Sequence, residues 1–170
     1  MPSTLEKFTR WFIIPLNTIK MIPNGDGAFI ALSIGCFLCE RYYRISTKTQ
    51  EIIPGTVFQN AAAADLNVNQ EFFRNFWFVY RHGVQHQATP KTYIAKDGTI
   101  YKWSISADFK AIPTRCVRNG VTIICLDPWK FADSMVAKFL ADPAKLEGAI
   151  DYEFGEISTP EAPLVCEEVH

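Results

Sequence analysis

The sequence predicts a mainly α fold, a helical bundle of four to five helices with a small antiparallel β element inserted after the fourth. Three observations carry that reading. Apolar residues recur at helical spacing through most of the chain up to His86, the period changes to short strand-like runs after Pro90, and Asp127-Pro128 restarts a helix. At 170 residues the chain fits one domain with a core of ordinary size. The domain is placed at residues 1–150, with the β insertion at about 92–126 and an acidic C-terminal tail at 151–170.

The first helix starts near Pro2 or Ser3, because Ser3-Thr4-Leu5-Glu6 is a capping pattern and Leu5, Phe8, Phe12, Leu16 and Ile19 form a helical stripe. Pro15 predicts a kink or break in it. Pro23 to Gly27 reads as a turn, with Asp26 as the cap of a second helix running to Thr47. A polar loop at 48–55 precedes a short, alanine-rich helix over Val57–Leu66. The fourth helix, about Asn69 to His86, carries Phe72, Phe73, Phe76, Trp77, Val79, Tyr80 and Val84 over more than half its circumference. So wide an apolar surface predicts burial against the chain's own core and against a second subunit. Thr92–Ala95, the turn Lys96-Asp97-Gly98 and Thr99–Ser106 read as a hairpin; Asn119-Gly120 turns the chain into a third strand, Val121–Leu126. The last helix runs from Pro128 to about Ala141.

Hydrophobic residues at 48% against 21% charged exclude a largely disordered chain. Five cysteines, an odd number without framework spacing, and a Met1–Arg10 segment without signal-peptide layout lead to the expectation of a reducing, cytoplasmic location. The longest apolar stretch, Ala28–Cys39, is about half of the ~20 residues that a membrane span needs, so no membrane partner is expected. Residues 71–120 carry eight basic and three acidic side chains, and residues 121–170 carry three and ten. The basic excess therefore accompanies the histidines.

Two of the three histidines fall within five residues, in Arg81-His82-Gly83-Val84-Gln85-His86, where the aromatic helix ends. A rigid helix end is a place where side chains are held firmly yet open to a cleft. The segment resembles the HEPN superfamily (higher eukaryote and prokaryote nucleotide-binding), whose ribonuclease members carry an Arg, a polar residue, three to five further residues and a His at a helix end. The resemblance implies an all-helical bundle and metal-independent RNA cleavage near a two-fold dimer interface, so the strands after Pro90 depart from the family pattern. It gives Arg81 and His86 the catalytic positions and His82 the polar position, with Tyr80, Gln85, Gln87 and Lys91 as supporting or binding residues. His86 would act as general base and Arg81 would grip the phosphate, leaving a 2′,3′-cyclic phosphate and a 5′-hydroxyl. RNA, a second copy of the chain and a neutralising protein partner, as in toxin, defence or stress systems, are the implied partners; no cofactor and no metal are implied.

Other readings stand beside this one. The same fold without cleavage would be an RNA- or nucleotide-binding or protein-interaction module, and Arg81 and His86 as plain helix-end cations would only satisfy terminal carbonyls. His82 and His86 have the i, i+4 spacing of paired zinc ligands, but no further ligand lies at a matching spacing. Cys36 and Cys39 form a CxxC inside an apolar helix and read as core. Glu40-Arg41-Tyr42-Tyr43-Arg44 reads as a solvated helix end, with added charge for the same cleft as the alternative if the second and fourth helices are adjacent. Lys91, Lys96 and Lys102 read as solubilising hairpin lysines, with an RNA-tracking role beside Tyr101 and Trp103 as the alternative.

Overall fold

The computed structural model describes residues 3–48 and 56–147. The Ser3 hydroxyl accepts the Glu6 N–H at 3.2 Å and the Glu6 carboxylate accepts the Ser3 N–H at 2.6 Å, so α1 (Thr4–Phe8) opens on a reciprocal capping box. Pro15 does not break the rod. A π turn at Thr9–Ile13 joins α1 to α2 (Ile14–Ile19), and the Ile14 N–H bonds back five residues to Thr9. This wider turn comes just before a proline, which has no N–H and crowds the carbonyl four residues back.

Asp26 is not a cap. It has helical backbone (φ −61°, ψ −17°) after the 3₁₀ turn Pro23–Gly25, whereas a capping side chain needs extended backbone to reach forward. Gly27 stands at the start of α3 (Ala28–Thr47), with no side-chain bond there. This helix is central. It buries Leu32, Cys36, Leu38, Cys39 and Tyr43 and packs along α7 (Pro128–Ala141). At Gly35 an added Cβ would lie 2.7 Å from the Phe131 ring, so a hydrogen at this position sets how closely the two helices approach. Beyond α4 (Thr56–Asp65), the Asn69 side chain caps α5 (Gln70–Trp77) by accepting the Glu71 and Phe72 N–H groups at 2.9 and 3.1 Å. A second π turn, Phe78–His82, leads into α6 (Gly83–Gln87), so one rod spans 70–87.

Most of the aromatic surface of that rod is consumed within the chain. Phe73, Phe76, Trp77, Val79 and Tyr80 are buried, with Phe76 edge-on to Phe131 and Trp77 edge-on to Phe58. Helices lie on one side of these buried residues and a sheet on the other, while Phe78 on the same rod stays exposed.

That sheet holds β1 (Tyr93–Ile94), β2 (Ile100–Ile105), β3 (Thr114–Arg118) and β4 (Val121–Leu126) in the order β1-β2-β4-β3. It corrects the expectation of a purely antiparallel element in two ways. β3 was not anticipated, because Thr-Arg-Cys-Val-Arg lacks clear apolar alternation; it is an edge strand with Arg115 to Arg118 exposed. β2 and β4 are parallel, with Trp103 opposite Ile124. The apolar β4 sits between β2 and the polar β3, with which it forms a hairpin through Asn119 and Gly120, both at positive φ. Its last residues, Ile124 to Leu126, are buried.

Asp127, 1% exposed, caps α7 by accepting the Trp129 and Lys130 N–H groups at 2.9 and 3.0 Å, as the Asp-Pro pair predicts. A short α8 (Ala144–Glu147) follows Pro143 and buries Leu146. Six helical rods thus stand among the described residues, one more than expected, the addition being this α8. The fold is mainly α with a small mixed sheet. The acidic segment 151–170 lies outside the described residues. Among the described residues no helix is long and apolar enough to cross a membrane.

Candidate functional site

The second π turn lies at the predicted site. Its widened backbone leaves the Val79 carbonyl to accept the Lys91 N–H at 2.9 Å, which fastens the chain entering β1 against the helix. Gly83 makes that return possible: an added Cβ would fall 2.6 Å from Lys91 N and 2.8 Å from both Pro90 Cα and Thr89 O, all backbone atoms. The glycine inside the motif is thus dictated by close backbone approach.

Arg81 reaches across to α3. Its Nε and one terminal nitrogen meet Glu40 Oε2 at 3.2 and 3.1 Å, while the other Glu40 oxygen accepts from Arg44 at 2.9 to 3.0 Å. Arg44 in turn covers the Phe58 ring at 4.5 Å. Two guanidiniums share one carboxylate, so the cluster keeps a net positive charge, and with Arg81 only 21% exposed its geometry is fixed. This corrects two readings. The Glu40–Arg44 segment is part of the site's framework, and Arg81 is not a helix-end cation bonded to terminal carbonyls. Helix α6 instead ends with Ala88 in left-handed conformation (φ 61°), its N–H bonded to Val84.

The histidines face another way. The His82 and His86 rings lie 6.0 Å apart and nearly parallel on the outer face of the rod, with His82 half-buried and His86 exposed. Burial, then the charges of Arg81, Lys91 and His86, hold the His82 imidazole below its usual pKa, so it stays neutral to a lower pH. A row of rings continues from His82 toward the sheet. Phe78 is 5.3 Å from His82 and 4.4 Å from Tyr93, and Tyr93 is 6.1 Å from Tyr101, while the Lys91 ammonium sits 3.7 Å above the Phe78 ring. A row of rings with a cation over it suits stacked nucleobases.

Among the predicted site residues, the structure brings Arg81, His82, His86 and Lys91 to one end of the helix, and leaves Gln85 and Gln87 exposed beside them. Tyr80 does not join them. It is wholly buried, and its hydroxyl donates to the Ser104 and Ile124 carbonyls, 2.9 and 2.7 Å away, tying the rod to β2 and β4. Like Phe76, Trp77 and Val79 before it, this residue faces the core. Lys96 and Lys102 are exposed. Cys36 and Cys39 are buried core residues, as read, with burial pushing the Cys36 thiol up to about 12. Among the described residues no group of three or more His, Cys, Asp or Glu side chains converges as a metal site.

Residues that sequence reasoning missed lie at the far end of the aromatic row. A cleft of about 460 Å³ opens beside Tyr101 and Phe72, and Glu71, Asn75, Asp97 and Arg115 supply its polar groups. Glu71, Asn75, Phe78, His82 and His86 recur at three- and four-residue steps along one stripe of the rod. That spacing was the available signal; the facing Tyr93, Tyr101 and Arg115 come from strands whose placement no local pattern shows.

No family model, curated protein or solved structure matches the chain. What the geometry offers chemically is a fixed guanidinium cluster, two adjacent imidazoles and an aromatic row leading to a polar cleft.

Proposed function

We propose that this chain is a HEPN-like, metal-independent endoribonuclease acting as a homodimer. The observation that carries the reading is the pair of adjacent His82 and His86 rings at the same helix end as Arg81, whose guanidinium is locked by Glu40 and whose charge acts on the His82 imidazole. His86, the exposed ring, takes the 2′-hydroxyl proton; the 2′-oxygen attacks phosphorus as the bond to the 5′-oxygen breaks, and that oxygen takes a proton from solvent water and leaves as a hydroxyl, while the His86 proton returns to solvent. The Arg81–Glu40–Arg44 cluster, with its residual positive charge, opposes the charge that develops on the phosphate. His82, adjacent and neutral at neutral pH, helps orient the reacting groups. A neutralising protein partner belongs to the same proposal.

A second reading, RNA binding without cleavage, is favoured by one observation: Arg81 already spends two nitrogens on Glu40. One experiment separates them. Purified protein, Arg81→Ala and His86→Ala are incubated with a mixed RNA pool in EDTA after equal folding is confirmed, and product ends are analysed. Cyclic-phosphate ends from the unsubstituted protein alone support cleavage, with a loss in either variant of about a hundredfold or more. RNA binding by all three without cleavage replaces it with the binding reading.

A further inference from the structure

The cleft at the other end of the aromatic row has the chemistry of a base-recognition site. Its volume of about 460 Å³ lies within the roughly 300–1,000 Å³ common to small-ligand sites. Phe72 and Tyr101 give it aromatic walls, against which a planar base stacks. The Glu71 carboxylate and the Asn75 amide make no side-chain hydrogen bond among the described residues, whereas Asp97 is occupied in accepting the Thr99 N–H at 2.9 Å. Arg115, whose guanidinium is 3.4 Å from Thr122 Oγ1, supplies the cation.

The pattern selects one base. A free carboxylate is a two-oxygen acceptor and pairs best with two parallel N–H donors, which guanine presents at N1 and N2 on a single edge. Adenine and cytosine present one amino group next to an acceptor that the carboxylate repels, and uracil presents one N–H between two carbonyls. The Asn75 amide is able to donate to the guanine oxygen or ring nitrogen. Position matters equally. Asn75 and His82 are seven residues apart on the same helix, a rise of about 10 Å at ~1.5 Å per residue, which corresponds to about three stacked nucleotides at roughly 3.4 Å per phosphate. Tyr93 and Phe78 fill the interval.

We infer that the cleft between α5 and β2 is a guanine subsite for single-stranded RNA, with Glu71 reading the base edge, Phe72 and Tyr101 stacking on its faces, and the strand continuing over Tyr93 and Phe78 to His82 and His86. It rests on the RNA reading above and adds the base that this RNA must carry a few nucleotides from the histidines.

The test uses uncleavable 2′-O-methyl octamers, seven uridines with one central guanosine or one central adenosine, fluorescently labelled and titrated by anisotropy with the full chain and with Glu71→Gln. The expected result is roughly tenfold tighter binding of the guanosine octamer, the scale of one bidentate base contact. In Glu71→Gln that preference disappears while the adenosine octamer binds as before. Equal binding of both octamers by the unsubstituted chain overturns the subsite and leaves RNA binding intact. If neither octamer binds, the RNA reading fails instead, and GMP and AMP titrated separately against the ¹⁵N-labelled protein decide the subsite. Amide shifts at 69–75 and 97–101 with GMP but not AMP retain it as a nucleotide site; no shifts remove it.

Discussion

Burial and three neighbouring cationic groups act on His82 in one sense, and Arg81 is the foremost of those charges. Arg81→Ala is therefore expected to raise the His82 midpoint toward 6.5, read from ring C–H chemical shifts across a pH series. An unchanged midpoint would mean that the guanidinium field does not reach the ring. The same shift has a stability sign. Folded His82 binds fewer protons than unfolded His82 near pH 6, so its neutral form stabilises the fold above 6.5, and that contribution is lost as pH falls through its lowered folded value. His82→Gln should flatten that part of the acid-side decline in urea unfolding. Residue chemistry of this kind was half legible. Clustering of Arg81, His82 and His86 stands in the sequence, and so does the core character of Cys36 and Cys39, but the partner that fixes Arg81 is Glu40, 41 positions away.

At the scale of elements, the rod 70–87 owes its use to a backbone irregularity. The π turn Phe78–His82 frees the Val79 carbonyl for Lys91, and Gly83 leaves room for residues 89–91 to cross. Gly83→Ala is expected to cost about 1–3 kcal/mol, because the added methyl meets backbone and no flexible side chain can give way. It should also lower RNA affinity by displacing Lys91 from Phe78, in whatever manner the site acts. Urea midpoints and octamer binding check both parts; a variant as stable as the parent would show that the 89–91 crossing yields easily. The helix boundaries were readable from the Ser3 and Asn69 caps and the Asp127-Pro128 start. The π turns were not, since which carbonyls lose their helical partners depends on Pro15 in one rod and on a returning strand in the other.

For the whole molecule, α3 leaves apolar surface exposed, and a dimer contact is expected there. Ile30 and Phe37, two turns apart, are 50% and 52% exposed, beyond what one isolated surface side chain accounts for. Phe37→Glu is expected to convert a dimer into a monomer, with molar mass by light scattering falling from about twice 19.3 kDa to about that value. A dimer surviving the substitution places the contact on another face. By itself the sequence determined the mainly α class, the order of the five long helices and of three of the four strands, and the clustering of Arg81, His82 and His86. Those depend on local periodicity, caps and turns, in which each residue constrains its near neighbours. Only the tertiary structure decided that β2 and β4 run parallel, that Glu40 holds Arg81, that the Tyr80 hydroxyl ties the rod to β2 and β4 and that a polar cleft adjoins Tyr101. Each of these joins segments far apart in the chain, and their meeting is set by which apolar faces pack together best, a property that no local window contains.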